Sequence, residues 1–238
     1  MEAPVQQHRA RDRRGYYRSP VTFAESRIGK RPANAGRKFP PEPLSREEVN
    51  AILGQCGRGY AGARDRAAFV IMYRAGLRIA EVIALLPKDV DSRNGLVHVL
   101  HGKGDRQRVI PIDPTGLAVV ELWLERRREL GLNGRHPLIC TISKPNPGQP
   151  YWDSVLRKKL KECGRRAEIT KRVHPHGLRH TYATELAREG VPVHAIKQLL
   201  GHNSLDTTER YIRKLYPAEL ARWIHAREWE PTTDHEAS

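Results

Sequence analysis

Among the many side chains that can bind anions, move protons or act as nucleophiles, six stand in separate short motifs along the chain: Arg78, Lys103, His176, Arg179, His202 and Tyr211. Arginine and lysine bind anions, an imidazole exchanges protons near neutral pH, and a tyrosine hydroxyl can form a covalent intermediate. His176 and Arg179 are three residues apart, so a helix would place them on one face. Chemistry of this kind would act on an anionic substrate, and the composition of the chain points the same way.

The chain carries a large excess of positive charge. Its 238 residues include 42 Lys and Arg against 27 Asp and Glu, which gives a net charge of +15 and a pI near 10.1. This excess indicates a polyanionic partner, either nucleic acid or an anionic membrane surface. It argues against a binder of acidic substrates and against a secreted mini-protein.

Other features of the composition bear on the compartment. No apolar run reaches the roughly 20 residues of a membrane-spanning helix, and no leading apolar stretch resembles a signal peptide. The three cysteines contain no C-x-x-C pair, which disfavours a disulfide framework or a cysteine zinc site. We therefore expect a cytoplasmic protein with no membrane partner.

The first 43 residues differ from the rest of the chain. Residues 1–40 contain ten Lys and Arg, three acidic residues and few apolar ones, so we expect residues 1–43 to be a flexible basic arm and linker. The arm could strap onto phosphates or serve only as a solubilising tail. After the proline-rich end of this segment, Ser45 and Glu48 have the spacing of a helix capping box. A folded domain is therefore expected to begin at residue 44.

The pattern of apolar residues beyond this point predicts an α+β domain that is mainly α-helical. Two short strands, Leu96–Leu100 and Arg108–Pro111, flank a polar turn and predict an antiparallel hairpin. Helical periodicity is present at about 64–75, 78–86, 114–130, 151–166, 176–189, 193–200 and 217–227.

Five motifs in order carry a resemblance to a known family: AGLRIAEV, GKGDRQRVIP, HPHGLRHTYATEL, LLGH and TTERYI. Each motif alone would be a weak signal. Together, over about residues 44–216, they resemble the catalytic domain of the tyrosine recombinases of the phage integrase family. The resemblance implies the fold of that domain, mainly helical with a small antiparallel sheet.

The resemblance implies a nucleophile and its proton donors. Tyr211 would attack the scissile phosphorus of DNA and form a 3′-phosphotyrosyl link, and a 5′-hydroxyl would be released. Lys103 would protonate the leaving 5′-oxygen, and His176 would assist proton transfer around Tyr211. The 5′-hydroxyl of another strand would then attack the phosphotyrosine, so that bond energy is conserved through a Holliday junction.

The resemblance also implies which residues bind the phosphate and which cofactors and partners take part. Arg78 and Arg179 would bind the non-bridging oxygens, and His202 would hydrogen-bond the phosphate. The implied reaction needs neither a nucleotide nor a metal cofactor. The implied partner is double-stranded DNA, bound by a homotetramer on two sites in the nucleoid of a bacterial, archaeal or phage-infected cell.

Some of these residues have ordinary structural explanations. Glu81, one helical turn beyond Arg78, could simply pair with it. Lys103 could be an exposed turn residue. Three other basic residues could be mistaken for the catalytic lysine, but we interpret them as contacts to the DNA backbone: Lys88, Arg106 and Arg108.

The histidines and the other tyrosines also have alternatives. His174, His176 and His180 could suggest a metal site, but a proline intervenes and no carboxylate or cysteine stands at ligand spacing. His180 is expected to pack or hydrogen-bond behind the site. Three further tyrosines are expected in the core or at an interface: Tyr73, Tyr182 and Tyr216.

The chain departs from the family in the segment before the catalytic domain. A helical core-binding domain usually precedes the catalytic one, and 43 residues are too few for it. In the family the two domains together clamp the DNA duplex. A partner protein could supply the core-binding half, the arm could replace it, or the chain could be a truncated or domesticated version. Residues 217–238 are expected to form a C-terminal helix and tail, and Trp223 and Trp229 would suit docking into a neighbouring protomer.

Two alternative functions remain open from the sequence. One is a DNA-binding accessory protein that keeps the fold without autonomous recombination, which the missing domain motivates. The other is relaxation of DNA in the manner of a type IB topoisomerase, because the two chemistries share their residue types.

Overall fold

A computed structural model describes residues 42–100 and 107–201. The helices are α1 (Arg46–Gly54), α2 (Tyr60–Arg74), α3 (Ile79–Ala84), α4 (Pro114–Glu129), α5 (Asp153–Arg166), α6 (Pro175–Arg188) and α7 (Val193–Leu200). The strands are β1 (Val90–Asp91), β2 (Leu96–Val99) and β3 (Arg108–Pro111). The predicted arm, the hairpin turn with Lys103, and the segment with His202, Tyr211 and the C-terminal helix lie outside the described residues.

The predicted capping box at the start of the domain is confirmed. Ser45 Oγ accepts a hydrogen bond from Glu48 N at 3.2 Å, and Glu48 Oε2 accepts one from Ser45 N at 2.6 Å. Lys171 Nζ then donates to the same carboxylate oxygen at 2.8 Å. Leu44 N donates to the buried Oγ1 of Thr181 at 3.0 Å. These bonds fix the start of the domain against the segment around α6.

Helix α2 forms the centre of the domain. It is buried on almost every side from Gly62 to Tyr73, and it packs against α4 and α6. Small residues such as Ala67 and Ala68, both fully buried, let the neighbouring helices approach closely. Trp123 of α4 is also fully buried and donates from its indole N–H to Leu138 O at 2.8 Å. The centre of the fold is therefore a rigid helical support.

The strands form a three-stranded antiparallel sheet in the order β1-β2-β3. The predicted pairing of β2 with β3 is confirmed, with Val97 opposite Ile110 and Val99 opposite Arg108. Val97, Val99 and Ile110 face the core. Val109, which precedes Ile110 in β3, points to the opposite face and is half exposed, as the two-residue period of a strand requires. Strand β1 was not predicted, because two residues are too few to show that period.

Helices α6 and α7 share a small apolar cluster of their own, made by Tyr182, Ala183, Ile196 and Leu200. Helix α7 ends at Gly201, which has a left-handed conformation with φ 61° and ψ 47°. A glycine adopts this conformation at little cost and so stops the helix. The predicted stop of α7 at the glycine of the LLGH motif is confirmed, as is the mainly helical fold with a small antiparallel sheet.

No helix within residues 42–100 and 107–201 has the length and apolar character needed to cross a membrane.

Candidate active site

Arg78 occupies the position that the sequence predicts, at the start of a helix just after a glycine. It is the N-cap of α3, with extended backbone angles of φ −71° and ψ 149°. Gly76 before it has φ 62°, and a Cβ at that position would lie 2.5 Å from Cδ1 of Tyr182. Only glycine fits both conditions. The glycine thus lets the chain turn tightly over α6 and deliver Arg78 to the surface of the domain.

Glu81 lies at the centre of the site. Its side chain is only 3% exposed. Its carboxylate accepts hydrogen bonds from the backbone N–H of Arg78 at 2.8 Å and from Arg78 Nη1 at 3.0 Å. The structural pairing of Glu81 with Arg78 that the sequence suggested is confirmed. The pair fixes the base of the Arg78 side chain, which is 28% exposed.

Arg108 of β3 binds the same carboxylate. Its Nη1 donates to Glu81 Oε1 at 3.0 Å, and its Nη2 donates to Glu81 Oε2 at 2.8 Å. The interpretation of Arg108 as a contact to the DNA backbone is not supported, because its side chain is 12% exposed and engaged inside the domain. A two-pronged pair of this kind orders both partners strongly.

Arg179 of α6 also approaches Glu81, with Nη1 4.0 Å from Oε2. Its guanidinium donates to the carbonyl oxygens of Gly76 and Leu200. The side chain is 2% exposed. The site therefore brings together two arginines from motifs about 100 residues apart. They are unequal, because Arg78 is partly exposed and Arg179 is buried.

The C-terminal end of α7 is held by the same arginines. Three successive carbonyl oxygens each accept a hydrogen bond from a different one: Leu199 O from Arg108, Leu200 O from Arg179 and Gly201 O from Arg78. The last carbonyls of a helix have no partners within the helix and carry partial negative charge. The arginine cluster thus satisfies the end of α7 directly before residue 202.

The cluster of Arg78, Arg108 and Arg179 has a net positive charge, since three guanidinium groups surround one carboxylate. Burial alone would raise the pKa of Glu81, but the hydrogen bonds from Arg108 and from the backbone of Arg78 outweigh it and hold the pKa below its ordinary value. Glu81 is therefore ionised at neutral pH. The remaining positive charge, open to solvent at Arg78, favours an anion at this surface.

His176 lies at the N-terminal end of α6, on the surface of the domain. Partial burial of the ring lowers its pKa, and the positive charges of Arg179 and Arg78 lower it further. The ring is therefore neutral at pH 7 and able to accept a proton. His180, one turn further along, is buried as predicted, and burial lowers its pKa to about 4.

The structure brings together three of the six predicted site residues, namely Arg78, His176 and Arg179. Sequence reasoning missed the part that Arg108 takes. The available signal was an arginine four residues after the GKG turn, at the start of the predicted second strand. Tyr73 and Tyr182 are buried, as expected of core residues. Within the described parts of the chain, no group of three or more His, Cys, Asp or Glu residues could hold a metal ion.

Comparison with known proteins agrees with this fold. A model of the phage integrase family matches residues 42–217. The tyrosine recombinase XerC of Vibrio campbellii is 34% identical over 180 residues, which cover 75% of this chain and 56% of that protein. The tyrosine recombinase XerD of Pseudomonas putida is 35% identical over 176 residues, or 72% of this chain and 57% of that protein.

Among solved structures, the chain resembles the site-specific recombinase XerH in a post-cleavage complex with its palindromic difH substrate. The TM-score is 0.64 at 25% identity, over 82% of this chain and 55% of that one. The chain belongs to the phage integrase family, the tyrosine recombinases, and the matched region is that family's catalytic domain. It spans a little over half the length of the curated relatives that it matches.

Proposed function

We propose that this protein is a site-specific recombinase that cuts and rejoins the strands of double-stranded DNA. One observation carries the proposal: Arg78 and Arg179, predicted from separate motifs, meet around Glu81 beside the end of α7. A partly exposed arginine and a neutral histidine at one surface, with a second arginine buried close to them, suit a phosphodiester whose charge rises during reaction. The names of the relatives XerC and XerD, and the DNA-bound structure of XerH, support the same function.

The proposed reaction has two balanced steps. In the first, the oxygen of Tyr211 attacks the phosphorus, the bond to the 5′-oxygen breaks, and that oxygen takes a proton from Lys103. Tyr211 loses its proton with the help of His176. In the second, the 5′-hydroxyl of the partner strand gives its proton to Lys103, which the first step left neutral, and its oxygen attacks the phosphotyrosine. The bond between phosphorus and the Tyr211 oxygen breaks, and Tyr211 regains a proton with the help of His176. Two such exchanges would make and resolve a Holliday junction, in a homotetramer on two DNA sites.

The phosphate would be held by the arginines and by His202. Arg78 is exposed enough to reach a non-bridging oxygen directly. Arg179 is buried and donates to Leu200 O, so we expect DNA binding to shift the end of α7 and open its guanidinium to the phosphate. Such a shift would also move residue 202, which follows this end in the chain.

The domain division is part of the proposal. We propose that residues 44–216 form the catalytic domain, that 1–43 form a basic arm, and that 217–238 dock on a neighbouring protomer. We propose that the arm, or a partner protein, contacts the DNA beside the catalytic domain. Removal of residues 1–43 should lower DNA affinity and make it less sensitive to salt, because fewer phosphates are neutralised.

A nicked-DNA assay tests the proposal. DNA that the protein binds is first selected from fragmented DNA, and nicked duplexes of the selected sequence are then incubated with the protein. We expect an adduct that survives denaturant, and four-way junctions from intact duplexes. An adduct with relaxation of supercoils but no junctions would indicate a topoisomerase-like enzyme. Tight binding without any adduct would indicate an accessory protein and contradict the proposal.

A further inference from the structure

Arg108 is placed as a support of the site. It stands opposite Val99 in the last described pair of the β2–β3 ladder before residues 101–106. Its side chain is 12% exposed, so it is largely withdrawn from solvent. An arginine that only bound DNA phosphates would have to be far more accessible.

All three nitrogens of the Arg108 guanidinium donate hydrogen bonds. Nη1 and Nη2 donate to the two oxygens of Glu81, and Nε donates to Leu199 O at 3.1 Å. One planar group thus connects β3, α3 and the end of α7. A lysine could not do the same, because its ammonium is a single point of charge and lacks the fixed fork.

Arg108 also limits how far Arg78 can engage Glu81. Oε1 of Glu81 is shared between Nη1 of Arg78 and Nη1 of Arg108, and Oε2 accepts from Arg108 and from the backbone of Arg78. Without Arg108, each oxygen of the buried carboxylate would keep one donor from Arg78 and have one acceptor position free. The Arg78 guanidinium could then form a two-pronged pair with Glu81 and turn away from the surface.

The end of α7 rests on the same side chain. A Cβ at Gly201 would lie 3.2 Å from Cδ and Nε of Arg108, so the left-handed turn that ends α7 is packed against the guanidinium. The position of this turn therefore depends on Arg108 through both a hydrogen bond and direct contact.

We propose that Arg108 is a positioning residue: it occupies Glu81 and supports the end of α7, so that Arg78 keeps its guanidinium available to the scissile phosphate. The inference rests on the proposed function. It assigns to Arg108 no contact with the DNA and no share in proton transfer.

The test compares Arg108→Lys and Arg108→Gln with wild type and with a matched control, Arg74→Lys. Arg74 also joins several helices through two acidic partners, Asp113 at 2.7 Å and Glu185 at 3.2 Å, but lies outside the cluster. The duplexes carry either the ordinary phosphate or an uncharged methylphosphonate at the cleavage position. The rate of adduct formation is measured for each pair.

We expect both Arg108 variants to cleave the ordinary phosphate about 100-fold more slowly, because small displacements of a positioned group cost this much. The methylphosphonate has less charge for Arg78 to offset, so the loss there should fall below about tenfold. The Arg74→Lys variant should stay close to wild type on both duplexes. A full rate in Arg108→Lys, an equal loss on both duplexes, or the same loss in Arg74→Lys would overturn the inference.

A second measurement is independent of activity. Hydrogen exchange at the backbone amides of residues 196–201 should be faster in Arg108→Lys than in wild type, with α1 unchanged as an internal control. Unchanged exchange at residues 196–201 would overturn the inference. If wild type forms no adduct on either duplex, the proposed function fails, and the exchange result alone decides whether Arg108 holds the end of α7.

Discussion

Replacing Glu81 by glutamine should destabilise the domain strongly at neutral pH. Glu81 is 3% exposed and is the shared acceptor of Arg78 and Arg108. Glutamine keeps the shape of the side chain but removes its charge, and its amide group presents N–H donors to guanidinium N–H donors. The change therefore leaves buried positive charge without a counter-ion while it creates no cavity.

The size of the effect follows from the four hydrogen bonds that the carboxylate accepts from these two arginines, at 2.8 to 3.0 Å. An amide oxygen can keep about two of them, and each lost bond to a charged group costs about 1.5–3 kcal/mol. Removing one partner of a buried ion pair costs about 3–5 kcal/mol. The first route gives about 3–6 kcal/mol and the second about 3–5, so the free energy of unfolding of Glu81→Gln should fall by about 3–5 kcal/mol.

The loss should depend on pH in a definite direction. The folded state lowers the pKa of Glu81 from its ordinary value of 4.5. A carboxylate with a lowered pKa contributes stability above that ordinary value, and this contribution is lost as the pH falls through the folded pKa. The difference between wild type and Glu81→Gln should therefore be constant near neutral pH and shrink below about pH 4.5.

Urea denaturation followed by circular dichroism, from pH 7.5 down to 3.5, measures this difference. Glu162→Gln is the matched control, because Glu162 pairs with Arg165 and Arg166 on the exposed face of α5. That variant should unfold close to the wild-type midpoint at pH 7. Our reasoning is refuted if Glu81→Gln is as stable as wild type at pH 7, or if its deficit persists unchanged at low pH.

Two further predictions concern other parts of the site. Gly76→Ala should lower the free energy of unfolding by about 1–3 kcal/mol through its positive φ, and by a further amount because the new Cβ overlaps the Tyr182 ring. Gly131→Ala is the control: Gly131 has φ 70° and no atom within 4 Å of an added Cβ, so only the backbone effect remains. Equal losses of stability in urea denaturation would contradict the packing argument. The pKa of His180 falls from 6.5 to about 4 on folding, so protonation should remove roughly 3 kcal/mol of stability between these pH values. The free energy of unfolding of His180→Gln, measured by urea denaturation, should not show this loss. The same dependence of stability on pH in the variant and in wild type would contradict the prediction.

Local sequence signals were enough to locate most of the fold. The cap of α1 requires only Ser45 and Glu48, three residues apart, and the pairing of Arg78 with Glu81 has the same spacing. The β2–β3 pairing follows from two apolar segments around a polar turn. Each of these features depends on residues close together in the chain, so a pattern of neighbours predicts it.

The centre of the site depends on contacts that no local pattern contains. Arg108 meets Glu81 27 residues away and Leu199 91 residues away, and Arg179 meets Gly76 at a distance of 103 residues. The burial of Arg179 was also unpredicted. Arginine is usually exposed, and the polar residues His176 and His180 before and after it in the chain do not indicate a buried helix face. The packing of α6 against α2 and of α7 against β3 decides these contacts. The family resemblance identified which residues matter but did not indicate which of them support the others.

The most direct test of the account is to find which residue becomes attached to DNA. The denaturant-resistant adduct formed on a nicked duplex is digested with protease and nuclease, and the modified peptide is identified by mass spectrometry. We predict a nucleotide attached through its 3′-phosphate to Tyr211, and no adduct from the Tyr211→Phe variant. Attachment at another residue, or an adduct of equal yield from Tyr211→Phe, would contradict the central claim.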